Sequence, residues 1–202
     1  SNLLPNWRIG GMTIPAAPTI RAPLKPMSRY SSFASGMNWH DRYTLQARWT
    51  RDLRAYLFEK TGLNDAHRVL EVGCGTGAIL SDMTISASLT CAGAQCQCHG
   101  LDLAPAALAE AKIPAPGALL VNADAYSLPY PDFTFDITFC HFLLLWVRDP
   151  FQAAREMARV TRPGGHVLAL AEPDYSARVD KPESLAVLGK WQADALRRAG
   201  TK

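Results

Sequence analysis

The chain has 202 residues, enough for one domain with a substantial hydrophobic core. Its composition is typical of a globular protein, with 48% hydrophobic and 19% charged residues, and a net charge of +3 is too small to indicate binding to nucleic acid or to an anionic membrane. No apolar run approaches the ~20 residues of a membrane span, and five cysteines without a repeating spacing favour a reducing compartment, here the cytoplasm, over a disulfide scaffold.

Residues 1–36 differ from the rest of the chain. Five prolines interrupt them, no acidic residue precedes Asp41, and no helical or strand periodicity persists. This composition predicts an extended or flexible N-terminal arm or lid, followed by a domain over residues 37–202. A targeting segment is the alternative, and the absence of an amphipathic period argues against it.

The first predicted helix begins near Asn38 and ends at Gly62. Its apolar positions recur every four residues: Leu45, Trp49, Leu53 and Leu57. Several arginines, among them Arg54, fall elsewhere on the helical wheel. The pattern indicates an amphipathic helix that buries the leucine and tryptophan stripe.

Strands and helices alternate after Gly62. The predicted strands are apolar runs at residues 68–72, 98–103, 118–123, 135–145 and 166–173. The predicted helices cover residues 78–87, 104–112, 150–162 and 182–198, and Asp149 with Pro150 forms a good start for the third. Continuous apolar runs are typical of parallel strands buried on both faces, so we expect an open α/β sheet. Such sheets bind ligands at the carboxyl ends of their strands.

The stretch "VLEVGCGTG" (69–77) places three glycines directly after the first strand. Glycine adopts backbone angles closed to other residues, and a turn without side chains lets a ligand approach a helix start. One candidate ligand is a dinucleotide, because Gly73, Gly75 and Ala78, followed by Asp102, fit its fingerprint.

The acidic Glu71 bears on the choice of ligand. An acid two residues before the turn would repel the pyrophosphate of a dinucleotide, whereas it favours the sulfonium and ammonium groups of S-adenosylmethionine. A purely structural pairing of Glu71 is the alternative.

The stretch "VLEVGCGTG" also resembles the first motif of the class I S-adenosylmethionine-dependent methyltransferases. Further stretches resemble later motifs of that family in the same order: "GLDLAP" (100–105), "VNADAYSLPYPDFTFD" (121–136) and "VTRPGGHVLALAEP" (160–173). The motifs most resemble those of the small-molecule members of the ubiquinone/menaquinone-biosynthesis type. The resemblance implies a Rossmann-like, doubly wound and mainly parallel sheet with helices on both faces. It also implies methyl transfer from S-adenosylmethionine to a small organic acceptor, with S-adenosylhomocysteine as the product.

The same resemblance implies roles for individual residues. The acid and the turn that would meet the cofactor are Glu71, Gly73, Cys74, Gly75 and Gly77. The Asp102 carboxylate would accept both ribose hydroxyls, and Leu103 would lie against the adenine. Asp124 would accept the exocyclic amine of the adenine, and the amide of Ala125 would bind its ring.

Other candidate residues lie outside these motifs. Tyr43 and Arg48, on the first helix, would close over the cofactor. His141, near the end of the fourth strand, would line the cofactor or act as a base, with a packed histidine as the alternative. Trp146 would wall the acceptor pocket or lie in the core. No other catalytic residue is predicted, because transfer from a sulfonium needs a base only when the acceptor must lose a proton.

A cluster of potential metal ligands stands before and within the second strand: Cys91, Cys96, Cys98 and His99. Structural zinc sites use two separated pairs of ligands, and neighbouring residues on a strand point to opposite faces. We therefore expect no metal.

The family continues into an antiparallel hairpin that completes a seven-stranded sheet, whereas this chain stops at Lys202. We expect the hairpin to be absent and the domain to be truncated, with an open edge that would permit a homodimer. Two further hypotheses are a non-catalytic binding or assembly module with the same fold and an NAD-dependent reductase.

Overall fold

The computed structural model describes residues 38–85, 96–173 and 183–198. Five strands lie within these ranges: β1 (Arg68–Val72), β2 (Gln97–Asp102), β3 (Leu119–Asn122), β4 (Phe135–His141) and β5 (Thr161–Leu170). The α-helices are α1 (Trp39–Trp49), α2 (Arg51–Lys60), α3 (Ala78–Ile85), α4 (Pro105–Ala111), α5 (Pro150–Val160) and α6 (Ala186–Arg198). The predicted arm over residues 1–36 lies outside the described residues.

The strands form one sheet in the order β3-β2-β1-β4-β5, and every pairing in the described part of the chain is parallel. The predicted parallel α/β sheet is therefore confirmed. β2 and β3 lie on one side of β1, and β4 and β5 lie on the other. The glycine turn follows β1 directly, so it lies at the point where the winding changes direction and where such sheets bind ligands.

The hydrophobic core consists of two clusters, one on each face of the sheet. Val69 packs on the face that carries Phe58 of α2 and Met83 of α3. Leu70 packs on the opposite face with Met157 of α5. Alternate side chains of a strand point to opposite faces, so apolar residues at successive positions of β1 are both buried. Helices cover both faces, as the Rossmann-like prediction requires.

The first helix differs from its prediction. It is divided at Thr50 into α1 and α2, and its leucine and tryptophan stripe is largely at the surface, where Trp49 is 70% and Leu53 is 48% exposed. The buried side instead carries Ala47, Arg54 and Phe58. This second stripe also has helical spacing. The sequence pattern failed here because Arg54 is fully buried as part of a polar network, which hydrophobicity does not reveal.

The fourth and fifth strands also have different bounds from those predicted. β4 ends at His141 rather than at residue 145, since Phe142 takes a positive φ of 53° and the next two amides turn away from the sheet to donate to the carboxylate of Glu172. β5 begins earlier, at Thr161, and its pairing with β4 shifts register between Phe135 and Ile137.

Helix α5 begins as the sequence predicts. The Asp149 side chain accepts a hydrogen bond from the N–H of Gln152, and Pro150 occupies the first turn, where its missing N–H costs nothing. None of the helices in the described ranges is long and apolar enough to cross a membrane.

Candidate functional site

The glycine turn connects β1 to α3 through backbone conformations that other residues avoid. Gly73, Gly75 and Gly77 have φ values of 77°, 52° and 76°. A Cβ at Gly73 would also lie 2.7 Å from Cδ1 of Leu143, and one at Gly77 would lie 3.0 Å from Cβ of Ala111. Conformation therefore favours glycine at all three positions, and close packing favours it at Gly73 and Gly77.

The amides of this turn are engaged within the protein. Those of Gly73 and Cys74 donate to the carbonyl of Leu101 at 2.7 and 2.9 Å, and that of Gly77 donates to the carbonyl of Cys74 at 2.9 Å. The turn therefore offers few free amide donors to a ligand. The Cys74 side chain is a buried free thiol whose pKa is raised by burial, so it stays protonated.

Asp102, the last residue of β2, joins two turns through its carboxylate. Oδ2 accepts a hydrogen bond from the N–H of Gly75, and Oδ1 accepts one from the N–H of Ala104, both at 2.8 Å. Each oxygen keeps one more acceptor position, because a carboxylate oxygen has two lone pairs. The motifs of the first and second strands are thus brought together by direct contact.

Helix α1 packs over the glycine turn. A Cβ at Gly75 would lie 3.5 Å from Cε2 of Tyr43, and Nδ1 of His40 lies 3.0 Å from Oγ1 of the buried Thr76. Burial, and then the nearby charge of Asp102, raises the pKa of Tyr43. The structure therefore brings Tyr43 to the turn. Arg48 is exposed, and the described residues give it no contact with the turn.

Glu71 lies inside the protein on the face of β1 that packs against α2 and α3. The residue is 2% exposed, and its Oε2 has no hydrogen-bond partner among the described residues. Burial raises the pKa of Glu71 well above its usual range, while the charge of Arg54 and a backbone hydrogen bond from Leu80 oppose that rise. The predicted acid is present, but the cation that acts on it within the protein is Arg54.

The ends of β2 and β3 carry the remaining residues of the predicted adenine site. Leu103, directly after the end of β2, is 60% exposed. Asp124 is exposed, and its Oδ1 accepts a hydrogen bond from the N–H of Tyr126 at 3.0 Å. Ala125 is buried, and the Asn122 side chain donates to the carbonyl of Leu103 at 3.0 Å.

His141, the last residue of β4, is anchored to the junction of α1 and α2. Its Nε2 lies 2.8 Å from Oγ1 of Thr50. Burial, and then the charge of Arg54, lowers the pKa of His141 to about 4, so the imidazole is neutral near pH 7. Trp146, in the turn after β4, is 53% exposed and is therefore not a core residue.

Three residues that hold this end of β4 were missed by the sequence analysis. Arg54 and Thr50 reach it from the first helical region, and Glu172 reaches it from beyond β5. The Glu172 carboxylate accepts hydrogen bonds from the amides of Leu143 and Leu144 at 2.8 and 2.9 Å. The one sequence signal was an acid near the end of the fifth predicted strand (166–173), which does not specify a partner about 30 residues away.

The cysteine and histidine cluster does not form a metal site in the described part of the chain, where no group of three potential ligands converges. Cys98 packs on one face of β2, and His99 contacts the rings of Tyr130 and Phe135 on the other. Cys96 is partly buried and packs against the core cluster that contains Cys98, and Cys91 lies outside the described residues.

Residues 70–169 match the family of methyltransferase domains. The chain is 35% identical to a malonyl-[acyl-carrier protein] O-methyltransferase of Halorhodospira halophila over 133 residues, which are 63% of this chain and 43% of that protein. It is 34% identical to a demethylmenaquinone methyltransferase of Lysinibacillus sphaericus over 137 residues, which are 66% of this chain and 55% of that protein. The chain thus spans about half the length of these curated relatives.

A solved structure shows the same fold. It is an S-adenosylmethionine-dependent methyltransferase from Aquifex aeolicus, 20% identical, with a TM-score of 0.56 over 80% of this chain and 86% of that one.

Proposed function

Through residues 70–169 the chain belongs to the family of methyltransferase domains, and on this premise we propose that it transfers a methyl group from S-adenosylmethionine to a small organic acceptor. The observation that carries this proposal is the Asp102 carboxylate, which adjoins the bare backbone of Gly75 beneath Tyr43. The free acceptor positions of this carboxylate would suit the two hydroxyls of a ribose.

Asp102 would hold the ribose. Its two oxygens each accept one amide and each keep one acceptor position, so the carboxylate can also accept two adjacent hydroxyls. The exposed Leu103 beside it would cover one face of the adenine. Asp124, with Oδ1 engaged by Tyr126, would accept the exocyclic amine through Oδ2, and the amide of Ala125 would donate to the ring.

The amino-acid end of the cofactor would lie along the turn. Gly73, Cys74, Gly75 and Gly77 would let it approach the main chain, and the Oε2 atom of Glu71, which has no partner among the described residues, would accept a hydrogen bond from its ammonium group, directly or through water. Tyr43 would cover the site. The proposal does not extend to the exposed Arg48.

The bound cofactor supplies a methyl group that its sulfonium already activates. The chain therefore needs to align the acceptor with that methyl group and to exclude water. The acceptor would enter beside the end of β4, where His141 is partly exposed and where the exposed ring of Trp146 in the following turn offers an apolar wall. The mild net charge favours a small organic acceptor over a nucleic acid.

Calorimetric titration with S-adenosylhomocysteine tests the cofactor site. We expect saturable binding by the full chain, and a loss of affinity of at least about tenfold in Asp102→Ala, because hydrogen bonds to a charged group contribute ~1.5–3 kcal/mol each. Asp52→Ala, which removes an exposed acid of α2, serves as the matched control and should bind as the parent does. Circular dichroism confirms that each variant is folded.

The two competing hypotheses predict different results, one in the binding experiment and the other in an assay of methyl transfer. A reductase would bind NADH and not S-adenosylhomocysteine, which would overturn the proposal. A non-catalytic module would bind S-adenosylhomocysteine, and methyl transfer from labelled S-adenosylmethionine to a panel of small organic acids, phenols and quinols would then be absent.

A further inference from the structure

The carboxyl of Glu71 lies in the interior without a direct ionic partner among the described residues. It is 2% exposed, and its Oε2 has no hydrogen-bond partner in that part of the chain. Leu80 of α3 gives the carboxyl a backbone hydrogen bond. An ionised carboxylate that has exchanged its water for a neutral backbone donor is strongly disfavoured. This environment therefore suits Glu71 as a neutral acid.

The cation that acts on Glu71, Arg54 of α2, has its own partners. Nη1 of Arg54 donates to the Ala47 carbonyl and to Oγ1 of Thr50. Nη2 donates to Oδ2 of Asp82 at 2.7 Å, so the guanidinium is already paired with a carboxylate. Nε of Arg54 is buried without a partner among the described residues and thus does not reach Glu71 either. The positive charge of Arg54 therefore acts on Glu71 without a hydrogen bond between them.

The other titratable groups that act on Glu71 bring no positive charge. They are Cys98 and Asp102 of β2, Cys74 of the turn and Cys140 of β4. Burial raises the pKa of each of the three thiols, so the thiols are uncharged. The negative charge of Asp102 further opposes the ionisation of Glu71. The free protein thus lacks a group that would compensate a charge on Glu71.

From this arrangement we propose that Glu71 is a neutral acid in the free protein and gives up its proton when the amino-acid end of S-adenosylmethionine binds. The inference rests on the proposed function, which places that end along residues 73–77. The ammonium group would donate to the unpartnered Oε2, directly or through water, and would supply the positive charge that the buried carboxylate lacks. The proton leaves for solvent, so one positive charge enters the site and one leaves. Affinity for the cofactor should therefore rise with pH until Glu71 is ionised without ligand.

Calorimetric titration of the full chain with S-adenosylhomocysteine, in two buffers of different ionisation enthalpy, counts the released protons. A carboxyl with an ordinary pKa is already ionised at about pH 6 and would release none there. We expect release of up to about one proton per ligand at that pH, and an affinity that rises by up to about tenfold per pH unit.

Two controls assign the proton to Glu71 and to the ammonium group. Glu71→Gln keeps the shape of the neutral acid and should bind without proton release and without this pH dependence. 5′-Methylthioadenosine has the adenosine and the thioether but no amino-acid portion, and it should release no proton from the parent protein. The variant also separates Glu71 from His40, which lies near the turn at Thr76 and is of a residue type that titrates close to this pH.

Carbon-13 NMR of glutamate carboxyl groups examines the free protein without any ligand. The Glu71 signal is assigned by its loss in Glu71→Gln. At about pH 6 we expect this signal at the position of a protonated carboxyl and the signals of exposed glutamates at the position of ionised ones.

Three results would each overturn the proposal: binding of S-adenosylhomocysteine without proton release, release that persists in Glu71→Gln, or an ionised Glu71 in the free protein. None of them contradicts the proposed function. Failure of the proposed function gives a different result, because S-adenosylhomocysteine then does not bind at all, and the inference falls with it.

Discussion

The carboxyl edge of the sheet is built by two different means. The glycine-turn half (residues 73–77 with Asp102 and Asp124) depends on backbone conformation and on contacts between adjacent motifs, such as the carboxylate of Asp102 on the amide of Gly75. The His141 half (residues 141–146 with Thr50, Arg54 and Glu172) depends on side chains that arrive from distant parts of the chain. The residues of the first half are thus marked by sequence motifs, whereas those of the second half are brought together without any motif that marks them.

This difference agrees with the proposed function, in which the glycine-turn half binds the cofactor and the His141 half lies beside the acceptor. A cofactor can be bound by a short glycine-containing motif, because the backbone conformation of the turn shapes the surface. An acceptor that only one protein uses must be recognised by side chains. The positions of those side chains can change without a change in the glycine turn. Mutations in the two halves should therefore have distinguishable effects on stability and on cofactor affinity.

The largest expected effect is that of Arg54→Met. It removes a fully buried guanidinium and leaves Asp82 and Glu71 without their cation, so we expect the free energy of unfolding to fall by ~3–5 kcal/mol. Urea denaturation measures the loss. Arg48→Met, at an exposed position of α1, should change stability by less than ~0.5 kcal/mol. Equal stabilities of the two variants would show that the buried network contributes nothing.

Gly73→Ala should lower the free energy of unfolding by somewhat less than Arg54→Met does. It should affect both halves of the edge, because the added Cβ would lie against Leu143. A left-handed conformation costs a residue with a Cβ ~1–2 kcal/mol, and here that Cβ would also lie 2.7 Å from Leu143 Cδ1. We expect a total loss of ~2–3 kcal/mol by denaturation. Gly117→Ala, whose Cβ would meet nothing within 4 Å, is the matched control.

The double variant Gly73→Ala/Leu143→Ala separates the two causes. It removes the steric overlap but not the backbone strain, so we expect its loss to be smaller than the sum of the two single losses. If the losses in unfolding free energy of the two single variants simply add in the double variant, the Cβ at position 73 makes no steric overlap with the side chain of Leu143.

Glu172→Gln tests the anchoring of the His141 half alone. The substitution replaces one acceptor oxygen by a donor, so one of the two amides of Leu143 and Leu144 loses its partner, at a cost of ~1–3 kcal/mol. Hydrogen exchange should accelerate at these two amides, while the amide of Gly75 keeps its protection. Glu110→Gln, on the exposed side of α4, should leave all three rates unchanged.

The smallest expected effect is the pH dependence contributed by His141. Its pKa is about 4 in the folded protein and 6.5 as its ordinary value, so the unfolded chain binds the proton more readily. Stability should therefore fall as the pH decreases from about 6.5 to about 4, by ~1 kcal/mol once partial exposure of the ring is allowed for. In His141→Phe this part of the slope should be missing. Parallel pH profiles for the two proteins would contradict the lowered pKa.

The sequence predicted the glycine-turn half well. Strand β1, the turn and Asp102 occur where the patterns indicate them, since apolar runs and glycines act through local conformation. The prediction was wrong for the first helical region, where Arg54 and not the leucine stripe is buried.

The His141 half was beyond the reach of sequence patterns. The contact of Thr50 with His141 spans 91 positions, and that of Glu172 with Leu143 spans 29. Hydrophobic periodicity and turn residues carry no information on such pairs, because the pairs exist only once the sheet order brings the helices and the strand ends together.

A crystal structure of the chain grown with S-adenosylhomocysteine tests the central claim most directly. The account predicts both ribose hydroxyls within ~3 Å of the two Asp102 oxygens, with the amino-acid portion along residues 73–77 beneath Tyr43. A ligand bound elsewhere, or an Asp102 carboxylate that contacts only the amides of Gly75 and Ala104 in the presence of bound ligand, would contradict it.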